Sequence, residues 1–325
     1  MKNLKNLALK INAPEKVEII DFIPKPPSDD EVGIKILASS LCNASEMRAF
    51  YGSSIEGTYG SKYPMDLGEP GHEAVGEIIE TGKSVSEFKQ GDIVAMTGHG
   101  GPPCHRSYVT RKAGAVAKID PKRGNLKAVS ILEIFGCAYH CVKSIWESRL
   151  GADNANVAII GLGTIGLCSL QIIRLWPVKS ITAIDPIESK LKLAKEFGAN
   201  LCLSPEKAFE FCEFRNRIVI ECSGTEKGYD LSQQLAPQVL VNVSYCSRPF
   251  SVKQNLWFIN NTTIYNPGVL SSNELRAVAN LYNRGLLNCE RMISRIIKPE
   301  ADSYCQAIAD IKAGKTIKTV IDWET

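Results

Sequence analysis

The stretch NVAIIGLGTIGLCSLQIIRLW (156–176) restricts the fold of this chain more than any other. NVAII is an apolar run of strand length, and the residues after the glycines have the spacing of an amphipathic helix. Between them, Gly161, Gly163 and Gly166 form GxGxxG. The first glycine permits a tight turn, the second lets a backbone approach a pyrophosphate, and the third lets helix pack closely on strand. The helix start, at Thr164 and Ile165, presents unpaired N–H groups to an anion. A second strand, KSITAID, ends at Asp185, close to the roughly 20-residue spacing at which an acid meets a ribose. A carboxylate there accepts hydrogen bonds from the ribose hydroxyls of NAD and repels the 2′-phosphate of NADP; Lys190 is placed to approach the same sugar. A glycine turn without a ligand is the competing reading of the motif alone. The strand before it, the helix after it and the acid beyond argue for the dinucleotide.

Strands and helices continue to alternate beyond this unit: ESKLKLAKEFG is a helix closed by Gly198, and RIVIECSG and LVNVSYC are buried strands. Such alternation implies a parallel, doubly wound α/β sheet of the Rossmann type. The flanks differ. VEIIDFI and EVGIKILASSL read as strands around the turn-rich PKPPSDD, and two more strands fall at His72–Glu80 and Asp92–Met96. No strong helical period precedes residue 125, so the first domain is expected to be mainly β. Ala128–Trp146 has helical spacing. After Pro267 and Gly268 come the helical NELRAVANLYNRGLL and SYCQAIADIKAGK and a closing strand, KTVIDW. The expected division is 1–135, a Rossmann domain over 136–268, and a return to the first domain over 269–325.

Composition excludes several partners. Lys and Arg total 38 against 35 for Asp and Glu, a balance that favours neither nucleic acid nor an anionic membrane. No uninterrupted apolar run approaches the roughly 18 residues of a membrane span. Met1–Lys10 mixes Lys and Asn with Leu and lacks the apolar core of a signal peptide, which implies a cytoplasmic location. The 11 cysteines contain no CxxC pair, so most are expected to be reduced, buried and small.

Gly71-His72-Glu73, Gly76, Gly82 and Val85 spell GHExxGxxxxxGxxV. With this pattern, the cysteine loop LCNASEMRAFYG and the GxGxxG, the chain resembles the zinc-containing medium-chain dehydrogenase/reductase family of the alcohol dehydrogenase type over nearly its whole length. The resemblance implies a GroES-like, mainly-β catalytic domain joined to the Rossmann domain. It also implies a catalytic zinc held by the Cys42 thiolate and the His72 imidazole. Glu73 is a direct ligand or a supporting carboxylate, and Glu133, in LEIFGCAYH, is the family's glutamate variant at the third ligand position. Lys318, in GKTIKTV, falls where the family places a basic residue at the cofactor pyrophosphate. The glutamate variant suggests a polyol-like substrate, and the family forms homodimers or homotetramers. The implied activity is hydride transfer between NAD(H) and a secondary alcohol, or its ketone, at a zinc ion acting as a Lewis acid.

The chain also departs from the family. Many members carry a second, structural zinc on four closely spaced cysteines; the corresponding MTGHGGPPCHRSYV holds only Cys104. One zinc at most is expected, with Cys104 a free surface thiol. The family's proton-relay positions are Ala44 and Met47, neither of which relays a proton. Ser45 is one residue off, and Glu46, His99 and His105 are substitutes from elsewhere. Phe50, Tyr51 and Met96–His99 are expected in the substrate cleft by analogy. His140 and Cys137, on the apolar helix, are expected to be core. Two alternatives stay open: a zinc-free reductase of quinones or activated double bonds, and a non-catalytic NAD(H)-binding protein.

Overall fold

A computed structural model describes residues 6–52, 61–146, 153–210, 217–244, 246, 249–268 and 270–324. Met1–Lys5 and Cys212 lie outside the described residues. The chain forms two compact units, Met1–Glu133 with Ser271–Thr325, and Ile134–Leu270.

In the first unit β1 (Leu7–Ala13) and β2 (Lys16–Asp21) form an antiparallel hairpin. The long strand β3 (Glu31–Ser40) is followed by helix α1 (Asn43–Tyr51). Then come β4 (Ala74–Thr81), β5 (Ile93–Met96), β6 (Tyr108–Lys112) and β7 (Val116–Ile119). A 3-10 turn, Leu126–Ile131, leads into α2 (Leu132–Trp146).

The second unit alternates strand and helix. In chain order these are β8 (Asn156–Ile160), α3 (Thr164–Ile173), β9 (Ser180–Ile184), α4 (Glu188–Glu196), β10 (Leu201–Leu203) and α5 (Pro205–Glu210). They continue with β11 (Ile218–Glu221), α6 (Glu226–Gln234), β12 (Val239–Asn242), α7 (Gln254–Asn260) and β13 (Thr263–Tyr265). The chain then returns to the first unit with α8 (Ser272–Asn283), β14 (Ile293–Ile297), α9 (Ala301–Lys312) and β15 (Lys318–Asp322).

The sheet of the first unit runs β14-β15-β3-β4-β5-β7, with β6 also paired to β3. Its centre is β3, whose residues are buried almost without alternation because strands and packed side chains cover both its faces. Ile34, Ile36, Ile78, Val94, Met96 and Ile321 join there in one apolar cluster. The second unit is a six-stranded sheet in the order β10-β9-β8-β11-β12-β13, with every pairing parallel. The order reverses at β8, so the turn after β8 lies at the switch point where such sheets bind ligands. This is the expected α/β architecture with a mainly-β partner.

The glycines of that turn are explained by their surroundings. Gly161 has φ +86°, and a Cβ on it would stand 2.6 Å from the Ser223 backbone. A Cβ on Gly166 would stand 1.9 Å from the Gly161 carbonyl oxygen, which is why helix and strand approach so closely. A Cβ on Gly163 would meet nothing within 4 Å. That open approach is what a bound pyrophosphate requires.

Three local expectations change. Helix α1 lies in the segment expected to be mainly β. It begins after Cys42 and ends at Gly52 (φ +70°), and so short a helix leaves little period to detect. Leu126–Trp146 is long and apolar enough by composition to cross a membrane, but the protein itself buries 67 % of its most apolar window, so it is a core segment. Strands β1, β6, β7 and β14 carry no clear signal in the sequence.

Replacing Gly166 with Ala is expected to lower unfolding free energy by about 2 kcal/mol or more, since a backbone oxygen blocks the new methyl group. Gly163→Ala, facing open space, should cost no more than about 1 kcal/mol, the scale of an unfavourable N-cap. Urea denaturation of the two variants compares them directly.

Candidate metal centre and dinucleotide turn

Three adjacent strands of the first unit meet at one point. Cys42 follows the end of β3 and serves as the N-cap of α1, and His72 and Glu73 immediately precede β4. Lys318 opens β15. The donor atoms of Cys42, His72 and Glu73 all lie within 4.8 Å of one another. His72 Nδ1 is 2.8 Å from the Pro70 carbonyl oxygen, to which it donates, so Nε2 is the nitrogen that faces the cluster. Burial would push the Cys42 thiol up, but the hydrogen bond and charge of His72, helped by Lys318, outweigh it and lower the thiol's pKa. Burial pulls the His72 imidazole down. The Cys42 hydrogen bond and charge, with Glu133 and Glu73, overcome this and raise it well above its ordinary value.

A thiolate, an imidazole nitrogen and a carboxylate at this spacing suit zinc. Its bonds of roughly 2.0–2.3 Å put tetrahedral donors a little under 4 Å apart, so a small inward movement closes the set. Glu133, in the first turn of α2, is buried but stands outside the cluster; it contributes its charge to His72. Asn43 Oδ1, Thr316 Oγ1 and Thr319 Oγ1, near Cys42 and Lys318 in sequence, are buried without a hydrogen-bond partner among the described residues. They are the open polar capacity of this region, and no sequence motif pointed to them.

Lys318, which the resemblance assigns to the cofactor pyrophosphate, is engaged by a neighbour within the first unit. It is 1 % exposed, and its Nζ donates to Glu73 Oε1 at 2.7 Å. The other Glu73 oxygen accepts from Ser40 Oγ at 2.5 Å. Burial lowers the Lys318 pKa, while Glu73 and Cys42 raise it, with a net rise. Its ammonium group is thus paired with the carboxylate beside the metal donors.

The substitutes for the missing relay separate as well. Glu46 and His105 are wholly buried and bonded to each other at 2.8 Å. Ser45 Oγ accepts from Arg48 at 3.4 Å. Ala44 is exposed, Met47 is half-buried, and His99 is exposed on the loop after β5. Phe50 is 6 % exposed and packs edge-on to Tyr51 at 4.9 Å and near Tyr304 at 6.2 Å, so it is core and not cleft wall. Met96 and Thr97 are buried too. Cys104, expected at the surface, is fully buried. Its amide donates to the Gly71 carbonyl at 2.7 Å and its Sγ accepts from Arg111 at 2.9 Å, because the short loop folds inward against the GHE segment. Cys137 and His140 are half-buried, and His140 Nε2 donates to the Pro267 carbonyl at 2.8 Å.

In the second unit Asp185 directly follows β9, against the glycine turn. Its Oδ2 accepts from the Leu162 amide at 2.7 Å and its Oδ1 from the Ile187 amide at 2.9 Å. Lys190 Nζ is 3.9 Å from the same carboxylate. The acid thus holds the turn in shape and keeps lone pairs for further donors. Helix α3 opens at Gly163 with no side chain capping it, which leaves its N-terminal end available to an anion.

Residues 28–138 match the alcohol dehydrogenase GroES-like domain. The chain is 29 % identical over 245 residues to galactitol 1-phosphate 5-dehydrogenase of Escherichia coli, covering 66 % of this chain and 67 % of that one. It is 24 % identical to D-xylulose reductase A of Aspergillus oryzae, covering 98 % and 97 %. The crystal structure of galactitol-1-phosphate dehydrogenase from Escherichia coli shares the fold, with a TM-score of 0.80 at 22 % identity over 97 % of this chain and 99 % of that one. Residues 28–138 thus resemble the GroES-like domain of alcohol dehydrogenases, and over most of its length the chain is similar to alcohol dehydrogenase-like oxidoreductases.

Breaking the buried pair by Lys318→Met is expected to cost about 3–5 kcal/mol, because Glu73 is left charged and uncompensated. The double variant Glu73→Leu/Lys318→Met should recover most of that loss. Chemical denaturation of the single and double variants measures both.

Proposed function

We propose that this protein transfers hydride between NAD(H) and a secondary alcohol or polyol-like hydroxyl, or the corresponding ketone, at a single zinc ion. The observation that carries the reading is the convergence of Cys42, His72 and Glu73. A zinc-free reductase has no use for a thiolate, an imidazole and a carboxylate so placed. Cys42, His72 and Glu73 hold the metal, and Glu133 adds negative charge from just outside. A bound zinc supplies Lewis acidity that stabilises an alkoxide or polarises a carbonyl. His72 is kept in one tautomer by Pro70, and Glu73 is held in place by Ser40 and Lys318. NAD is supported by the open approach at Gly163, the uncapped start of α3 over Thr164 and Ile165, and the Asp185 carboxylate. The polyol-like substrate is supported by the relatives, named for galactitol 1-phosphate and xylulose.

A second reading, an NAD(H)-binding protein without turnover, is favoured by Ala44 and Met47 at the relay positions. NADH binding with no turnover over a panel of polyols, alcohols and ketones would establish it.

Purified protein is expected to carry about one zinc per chain, and Cys42→Ala to abolish both zinc and turnover, since it removes a ligand. NADH affinity should stay within a few-fold, because the glycine turn belongs to the other unit. Metal analysis and NADH fluorescence titration check the two halves; a zinc-free wild-type protein contradicts the reading. Asp185→Asn is expected to weaken NAD by roughly tenfold or more, the cost of a charge-assisted hydrogen bond, and to shift preference towards NADP. An unchanged NAD-to-NADP ratio places the ribose elsewhere.

A further inference from the structure

Next to the metal donors lies a second polar network that hydride transfer does not use. Ser39, Glu46 and His105 are 0 % exposed, Tyr304 1 % and Trp323 4 %. An indole N–H only donates, so Trp323 Nε1 gives its hydrogen to Ser39 Oγ at 2.8 Å. The Ser39 hydroxyl is then free to donate to His105 Nδ1, also at 2.8 Å. That fixes the neutral ring as the tautomer whose Nε2–H donates to Glu46 Oε1 at 2.8 Å. Tyr304 donates to the other carboxylate oxygen. The chain of bonds runs from Trp323 to Tyr304 wholly inside the protein. It also lies on the opposite face of β3 from the metal-side contacts: Ser39 and Ser40 are neighbours in one strand, and Ser40 turns to Glu73 while Ser39 turns to His105. Among the described residues no hydrogen bond joins it to the side chains of Cys42, His72 or Glu73.

Where the network attaches points to a different role. Glu46 lies one helical turn beyond Cys42, and its amide donates to the Cys42 carbonyl at 2.9 Å. His105 is fixed to the segment that carries the imidazole donor. Its amide donates to the Gly68 carbonyl at 3.1 Å, and a Cβ on Gly71 would stand 2.5 Å from that amide nitrogen and 2.6 Å from the ring. Glu46 is thus tied to the Cys42 segment and His105 to the His72 segment, and the bond between them spans the two. We propose that Glu46 and His105 are a positioning pair that fixes the distance between the Cys42 and His72 donors, with Tyr304 and Ser39 holding the pair in orientation. The inference rests on the zinc reading above. An apolar pair of similar volume would fill the same space at little cost to stability, whereas directional hydrogen bonds fix a distance.

The test uses the full chain, with Zn²⁺ affinity from chelator competition and the visible spectrum of the Co²⁺-loaded protein. The double variant Glu46→Leu/His105→Leu is expected to stay folded with a lowered unfolding midpoint, since the Tyr304 hydroxyl loses its acceptor, to lose ten- to a hundredfold in Zn²⁺ affinity, and to show an altered cobalt–thiolate band. Glu46→Gln, whose amide oxygen still accepts from His105, should stay within threefold of wild type and keep the band. A folded double variant with wild-type affinity and spectrum overturns the proposal. Should the double variant not fold, Tyr304→Phe decides: a weaker site with an altered band supports the pair, and an unchanged one overturns it. Wild-type protein that takes up neither metal removes the zinc reading itself, an outcome distinct from a wild-type site that the variants leave untouched.

Discussion

The Lys318–Glu73 pair, 2.7 Å apart with neither side chain exposed beyond 1 %, sets the conditions for everything around it. A buried pair contributes little over an apolar replacement, yet losing either partner leaves a charge with no solvent to receive it. The two residues come from β15 and the start of β4, and β3 runs between those strands. Burying the pair therefore requires the carboxy-terminal strand to be in place beside the amino-terminal sheet. This gives a physical reason for the chain to leave the first unit, build a second one and come back. It also holds Glu73 oriented within 4.8 Å of the Cys42 and His72 donors.

Which features are legible in the sequence, and which are concealed, depends on the range of the interactions. The glycine turn is legible because its causes are local: Gly161 and Gly166 are needed by backbone close to the same strand–turn–helix, and Asp185 ends the next strand. Cys42, His72 and Glu73 can be selected by motif, and the structure brings their donors together. Glu133 stands on equal terms in the sequence, and its charge reaches His72. The partner of Lys318 is hidden from the sequence. A lysine in a closing strand looks like a cation available to a ligand until its partner, 245 positions earlier, is placed beside it. Cys104 is expected at the surface because a loop stripped of its cysteines looks free. Its contacts with Gly71 and Arg111 are set by folding and leave no periodic trace.

The central strand β3 joins these observations. Its final serines, Ser39 and Ser40, point to opposite faces, as any two successive strand residues must. One face carries Glu73 and Lys318, and the other carries His105, Glu46, Tyr304 and Trp323. Cys42 comes directly after the end of this strand. The thiolate thus emerges where two buried polar networks back onto each other, one supplying charge and the other direction. A one-residue slip of β3 would exchange the two faces and dismantle both.

This arrangement also bears on how a proton leaves during the proposed oxidation. Ala44 and Met47 carry no exchangeable proton. Glu46 and His105, which the sequence offered in their place, spend their hydrogen-bonding capacity on each other and on Tyr304 and Ser39, away from solvent. His99 differs from them. It is exposed, and its loop lies against the metal-side imidazole: a Cβ on the adjacent Gly98 would stand 2.7 Å from His72 Cβ. On the proposed reading, proton release therefore belongs to the loop following β5 or to solvent itself. On that same reading the helix after the thiolate, whose Glu46 is bonded to His105 and to the Cys42 carbonyl, serves to hold the thiolate in place and not to carry its proton.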